Sequence, residues 1–233
     1  MRVTEIDNPI CVALDFPDAD AIRGTASATE PHVGIYKIGL TAFAGSGPDL
    51  VSELGARRPV FVDLKLHDIP AQVAGAVGAI RASGASYTTV HASGGSDMLR
   101  AAVDAAGEMT ILAVTVLTSI DSAVLQRVGF SGNAQSTVLR LAEEALGAGA
   151  PGIVCSPLEI AVLRETFGRR SEGGPLLVVP GIRSAGSARD DQRRTLSARE
   201  AMETGADIIV VGRPITASDD PAEAARALRE ELG

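Results

Sequence analysis

The chain places charged side chains of alternating sign where short apolar runs end. Asp15 closes the run VALD, Lys37 stands in IYKIG, and Asp63, Lys65 and Asp68 follow one another in FVDLKLHDIP. Carboxylates and ammonium groups gathered in a pocket shielded from water can move a proton and stabilise charge that develops on a bound molecule. Residues two apart on a strand share a face, so Asp63 and Lys65 are expected to point into one pocket, with Val62 and Leu64 turned away. Asp68 lies past the strand end, where it can turn back or reach a neighbouring subunit. For an isolated D-x-K the plainer reading is a solvated ion pair. That reading weakens for the whole set, because buried charges are costly unless they pair with one another. Composition adds a second argument. Of the 21 basic residues 19 are Arg, and the only lysines are Lys37 and Lys65. Arg holds its proton at any working pH, whereas Lys can release one.

These side chains need a frame that brings distant segments to one place. Short β-branched runs recur at 10–15, 34–38, 60–65, 87–91, 110–117, 152–155, 176–180 and 208–212. Ala- and Leu-rich helical stretches lie between them, among them 71–83, 97–106, 138–148 and 222–232. Strands covered on both faces read as continuous apolar runs, and alternation with helices implies parallel pairing. Eight such units in 233 residues predict a single-domain (β/α)8 TIM barrel over 1–233, at the small end of that fold's range. An open doubly wound sheet is the main competitor, but no G-x-G-x-x-G opens a helix after the first strand. Polar residues at the C-terminal strand ends of a barrel face its binding site. Strands seven and eight end in VVPGIR and IIVVGRPIT, the two places where barrels commonly hold phosphate. There Gly212 would admit an oxygen to the backbone and Arg213 would make a forked contact. The stretch 184–194 between them reads either as a lid over the ligand or as a surface loop, with Arg183 and Gln192 the residues to watch. A catalytically inactive phosphate-binding barrel stays open as a different class of function.

The formal charge of −8, from 21 basic and 29 acidic residues, argues against nucleic acid as a partner, as do only five Phe, two Tyr and no Trp for base stacking. No apolar run reaches the roughly 18 residues of a membrane helix, and the first residues lack a signal-peptide layout. Cys11 and Cys155 sit inside apolar runs and read as core thiols in a reducing compartment. The expected location is cytoplasmic.

Together these residues resemble the orotidine 5′-phosphate decarboxylase family. The match comprises ALD at 13–15, Lys37, DLKLHDIP at 63–70, LTS at 117–119, VCSP at 154–157, VPGIR at 179–183, Gln192 and VVGRPIT at 210–216, in family order along nearly the whole chain. A wider superfamily of sugar-phosphate decarboxylases and aldolases shares D-x-K-x-x-D. Its metal-dependent members typically carry Glu at the strand-two position, where Lys37 stands here and would repel a divalent cation. The resemblance implies conversion of orotidine 5′-monophosphate to UMP and CO2, the last step of pyrimidine synthesis, without metal or organic cofactor. It further implies Lys65 as proton donor to C6 and Asp63 beside the substrate carboxylate. Asp68 would be contributed across the interface of a homodimer. Lys37 would bridge the carboxylates and, with Asp15, contact the ribose. Thr118 and Pro180 would line the base, with Ile69 also at the substrate, while Arg183, Gln192, Gly212 and Arg213 would hold the phosphate. Gln72 stands where family members usually carry Thr, a departure that puts its substrate contact in question.

Overall fold

The computed structural model describes residues 6–182 and 196–233. Its strands are β1 (Ile10–Ala13), β2 (Ile35–Gly39), β3 (Val60–Leu66), β4 (Tyr87–His91), β5 (Thr110–Val114), β6 (Gly152–Val154), β7 (Leu176–Pro180) and β8 (Ile208–Val211). The helices are α1 (Ala19–Thr29), α2 (Leu40–Gly55), α3 (Pro70–Ala82), α4 (Gly95–Ala106), α5 (Ser122–Arg127), α6 (Ala134–Gly147), α7 (Ile160–Phe167), α8 (Ala198–Thr204), α9 (Arg213–Thr216) and α10 (Pro221–Leu232). Every strand pairs in parallel with the next, and β8 closes on β1 with Cys11 opposite Val210. The result is the closed (β/α)8 barrel expected from the spacing of the apolar runs.

Local chemistry starts the helices where the sequence says they should start. The Asp18 carboxylate accepts the Ala21 amide ahead of α1, and Asp220 accepts those of Ala222 and Glu223 ahead of α10, which also has Pro221 at its first position. Asn133 and Ser136 form a reciprocal cap at α6. Each such cap is worth about 1 kcal/mol. The long stretch before β6 holds two helices rather than one, because Asp121 and Asn133 each open a new start.

Alternation along the strands divides the apolar residues into two cores. Ile10, Val12, Tyr36, Ile38, Val60 and Val62 face outward into the layer shared with the helices, where Leu64 and Leu66 also pack. Cys11, Ile35, Phe61, Tyr87, Leu112, Leu176 and Ile208 turn inward and fill the barrel. Phe61 and Tyr87 meet edge to face, with ring centroids 6.4 Å apart. Burying a large side chain here contributes about 1.5–3 kcal/mol, so this plug both stabilises the barrel and forms a solid floor. Both cysteines are free and buried, and burial pushes their thiols well above the ordinary range.

Candidate active site

Two residues further along the same inward faces, the apolar floor gives way to charge. Asp15 lies just beyond β1, Lys37 follows Ile35 on β2, and Asp63 and Lys65 follow Phe61 on β3. The Lys37 ammonium donates to Asp15 Oδ1 at 2.9 Å and Oδ2 at 3.1 Å, and lies 3.6 Å from Asp63 Oδ2. The Lys65 ammonium donates to both Asp63 oxygens at 2.8 Å. The four side chains therefore form one continuous chain, Asp15–Lys37–Asp63–Lys65. Burial by itself would raise the Asp63 carboxyl, yet the charges of Lys37 and Lys65 and hydrogen bonds from Lys65 and Thr89 outweigh it and hold this group below its ordinary value. Asp63 thus stays ionised deep in the mouth.

The geometry of β3 differs from a regular strand. Its pairing with β4 runs Val62 to Thr88 and then Leu66 to Val90, so four steps of β3 are set against two of β4. This bulge carries Lys65 into a left-handed conformation, with φ of 51°, the sole positive φ outside glycine among the described residues. Such a conformation costs a non-glycine residue about 1–2 kcal/mol, and strain of this kind clusters at functional sites. The strand-face argument gave the correct convergence of Asp63 and Lys65, and the bulge supplies its actual route. Gly39 is the second local requirement. A Cβ there would come within 2.3 Å of Asp15 Oδ1 and 3.1 Å of Lys37 Nζ, so the Asp15–Lys37 pair occupies the space a side chain would need.

The chain of charges borders a cavity of about 510 Å3, within the usual range for a small-molecule site. Thr118, Pro180, Gly212 and Arg213, all expected there, line it with Asp15, Lys37, Asp63 and Lys65. The wall also includes Phe61, Val114, Cys155 and Ile182. Gly212 has ample room: a Cβ would meet only Ala13, at 3.7 Å. Asp68, Ile69 and Gln72 are exposed and lie outside the cavity of this chain; Asp68 Oδ1 instead accepts its neighbour's amide, Ile69 N, at 2.6 Å. Arg183, Gln192 and the stretch 184–194 fall outside the described residues. Sequence reasoning passed over Thr89 and His91, which share the inward face of β4 and were detectable by the same two-residue spacing. The His91 ring lies 5.5 Å from that of His67. Burial, then His67 and Lys65, push it below the ordinary histidine value, with Asp63 opposing.

Residues 8–228 match the model of the orotidine 5′-phosphate decarboxylase / HUMPS family. The chain belongs to that family. It is 54% identical to an orotidine 5′-phosphate decarboxylase of Anaeromyxobacter sp. (strain K), across 96% of this chain and 97% of the relative. It is 49% identical to one of Thermobifida fusca (strain YX), across 96% and 95%. The crystal structure of orotidine 5′-phosphate decarboxylase from Lactobacillus acidophilus superposes with a TM-score of 0.85 at 37% identity, covering 97% of this chain and all of that one. No helix among the described residues is long and apolar enough to cross a membrane.

Proposed function

We propose that this chain decarboxylates orotidine 5′-monophosphate to UMP and CO2, the closing step of pyrimidine nucleotide synthesis, without a metal or organic cofactor. The observation that carries this reading is the Asp15–Lys37–Asp63–Lys65 chain at the edge of the cavity, in which an ammonium already stands between two carboxylates. The names of the relatives point the same way. The C6–carboxylate bond breaks, CO2 leaves, and the electron pair stays on C6, where no ring carbonyl can delocalise it. The Lys65 ammonium stabilises that pair electrostatically, then transfers a proton to C6 and recovers one from water. Asp63, kept ionised, holds Lys65 in place beside the departing carboxylate.

Asp15 and Lys37 contact the ribose, and Thr118 and Pro180 flank the base. Gly212 and Arg213 take the phosphate, with Arg183 and Gln192 assigned to it by family resemblance. Holding the remote phosphate fixes the base over Lys65, so binding energy there serves turnover. Asp68 reaches the cavity of a second copy in a homodimer, and Ile69 and Gln72, at the exposed start of α3, go with it. The reaction belongs to the cytoplasm. Mixing purified protein with orotidine 5′-monophosphate tests the reading. The orotate absorbance should fall, at a rate unchanged by excess EDTA. A stable absorbance contradicts the activity; loss that EDTA stops contradicts the metal-free mechanism.

A further inference from the structure

The bulge in β3 solves one problem and creates another. It delivers Lys65 to Asp63, but it pulls the Lys65 amide out of register with the carbonyls of β4. A buried amide without a partner costs about 1–3 kcal/mol. Thr89, fully buried in the middle of β4, meets this need: its hydroxyl oxygen accepts the Lys65 amide at 2.9 Å. The same hydroxyl donates its hydrogen to Asp63 Oδ1, also at 2.9 Å. One oxygen thereby ties the backbone of Lys65 to the carboxylate of Asp63. The adjacent Thr88 donates to the Val62 carbonyl at 2.9 Å and secures the strand just before the bulge.

We propose that Thr89 is a positioning residue for the decarboxylation, holding Lys65 in its left-handed conformation and orienting the Asp63 carboxylate through a single bridging hydroxyl. Thr89 is absent from the cavity wall, so it acts through these two residues rather than on the substrate. Both hydrogen-bonding functions of the hydroxyl are used, one as acceptor and one as donor. Only Ser offers the same pair from the same Cβ. Val preserves the shape and removes both bonds. The bond to Asp63 also helps keep that carboxyl ionised.

The role rests on the decarboxylase reading of the mouth, and its test separates the two. Thr89→Val should lower kcat for orotidine 5′-monophosphate roughly 10- to 100-fold, with KM changed by less than about threefold, because displacement of reacting groups slows turnover more than it weakens binding. Thr89→Ser should return kcat to within about threefold of the unsubstituted enzyme. A Val variant within about twofold of that enzyme, or a Ser variant as slow as the Val variant, overturns the proposal. The Lys65 amide, followed by NMR exchange in the unsubstituted protein, reads the same bond without catalysis or substitution. Slow exchange supports the role and exchange at the rate of an unprotected amide overturns it. Absence of turnover by the unsubstituted protein overturns the decarboxylase reading, and the amide exchange then decides the place of Thr89.

Discussion

Two clusters of paired opposite charges stand at opposite ends of this barrel, one built on a buried Arg and the other on two Lys at the open mouth. At the end where the strands begin, Arg164 donates to the carbonyls of Gly205, Gly168 and Pro175 at 2.9, 3.1 and 2.8 Å and to Asp207 Oδ2 at 2.6 Å. Asp207 in turn accepts the Leu177 amide at 2.7 Å. The guanidinium is spent on the chain itself, clamping α7 to the starts of β7 and β8, and it is not part of the wall of the cavity at the mouth. At the mouth, Lys37 and Lys65 pair with Asp15 and Asp63 yet remain on the wall of the cavity. The planar fork of Arg suits a closed set of acceptors, whereas the compact ammonium of Lys can serve a ligand and release a proton. The difference teaches how to read the composition. Arg supplies the other 19 basic residues of the chain, and both Lys stand on the wall of the cavity.

If that division is right, substitutions at the two ends will damage different properties. The largest expected effect is that of Lys65→Ala, which should slow decarboxylation by at least about a thousandfold while the melting temperature stays near that of the parent. Steady-state kinetics beside a thermal melt checks both halves, and a tenth of parental turnover would contradict the role of Lys65. Arg164→Ala should do the reverse. It leaves Asp207 without its partner and should cost about 3–5 kcal/mol in denaturant unfolding, with kcat per folded molecule little changed. Arg213→Ala should reduce kcat/KM for the nucleotide roughly 10- to 100-fold while barely affecting the nucleoside; equal losses on the two substrates would remove it from the phosphate site.

The smallest effect concerns acid. An unfolded Asp ionises near 3.9, and the folded protein holds Asp63 below its ordinary value. Its contribution to stability is therefore complete above about pH 4 and is lost as pH falls toward the folded value, where the unfolded state binds more protons. Unfolding measured between about pH 6 and 3 should show a shallower decline in Asp63→Asn than in the parent. Identical slopes would contradict the paired, ionised state of Asp63.

Much of this arrangement was legible in the sequence. The strands are covered on both faces, so their apolar runs announced them, and β4 and β7 occupy the residues expected for them. The run at 110–117 outlasts β5 because Val116 and Leu117 continue as apolar wall of the cavity after the strand has ended. The D-x-K spacing announced that Asp63 and Lys65 meet, although a bulge rather than regular alternation brings them together. The bulge between them was hidden, because nothing marks a left-handed residue when Lys rather than Gly occupies it. The two-residue spacing puts Thr89 on the inward face but does not reveal its role: a buried Thr on a strand is ordinary, and only the partners of its hydroxyl distinguish it. Asp68, Ile69 and Gln72, exposed around the start of α3, follow Asp63 and Lys65 closely in sequence yet lie outside the cavity of this chain.

The most direct test of the account is the charge-preserving exchange Lys65→Arg. It keeps a cation beside Asp63 but one that does not release a proton at working pH. With the unsubstituted protein and the variant at equal concentration and confirmed as folded, the loss of orotate absorbance should be rapid in the first. In the second it should be at least about a thousandfold slower. A variant that turns over within about tenfold of the parent would show that charge alone suffices at this position, and would contradict the assignment of Lys65 as proton donor.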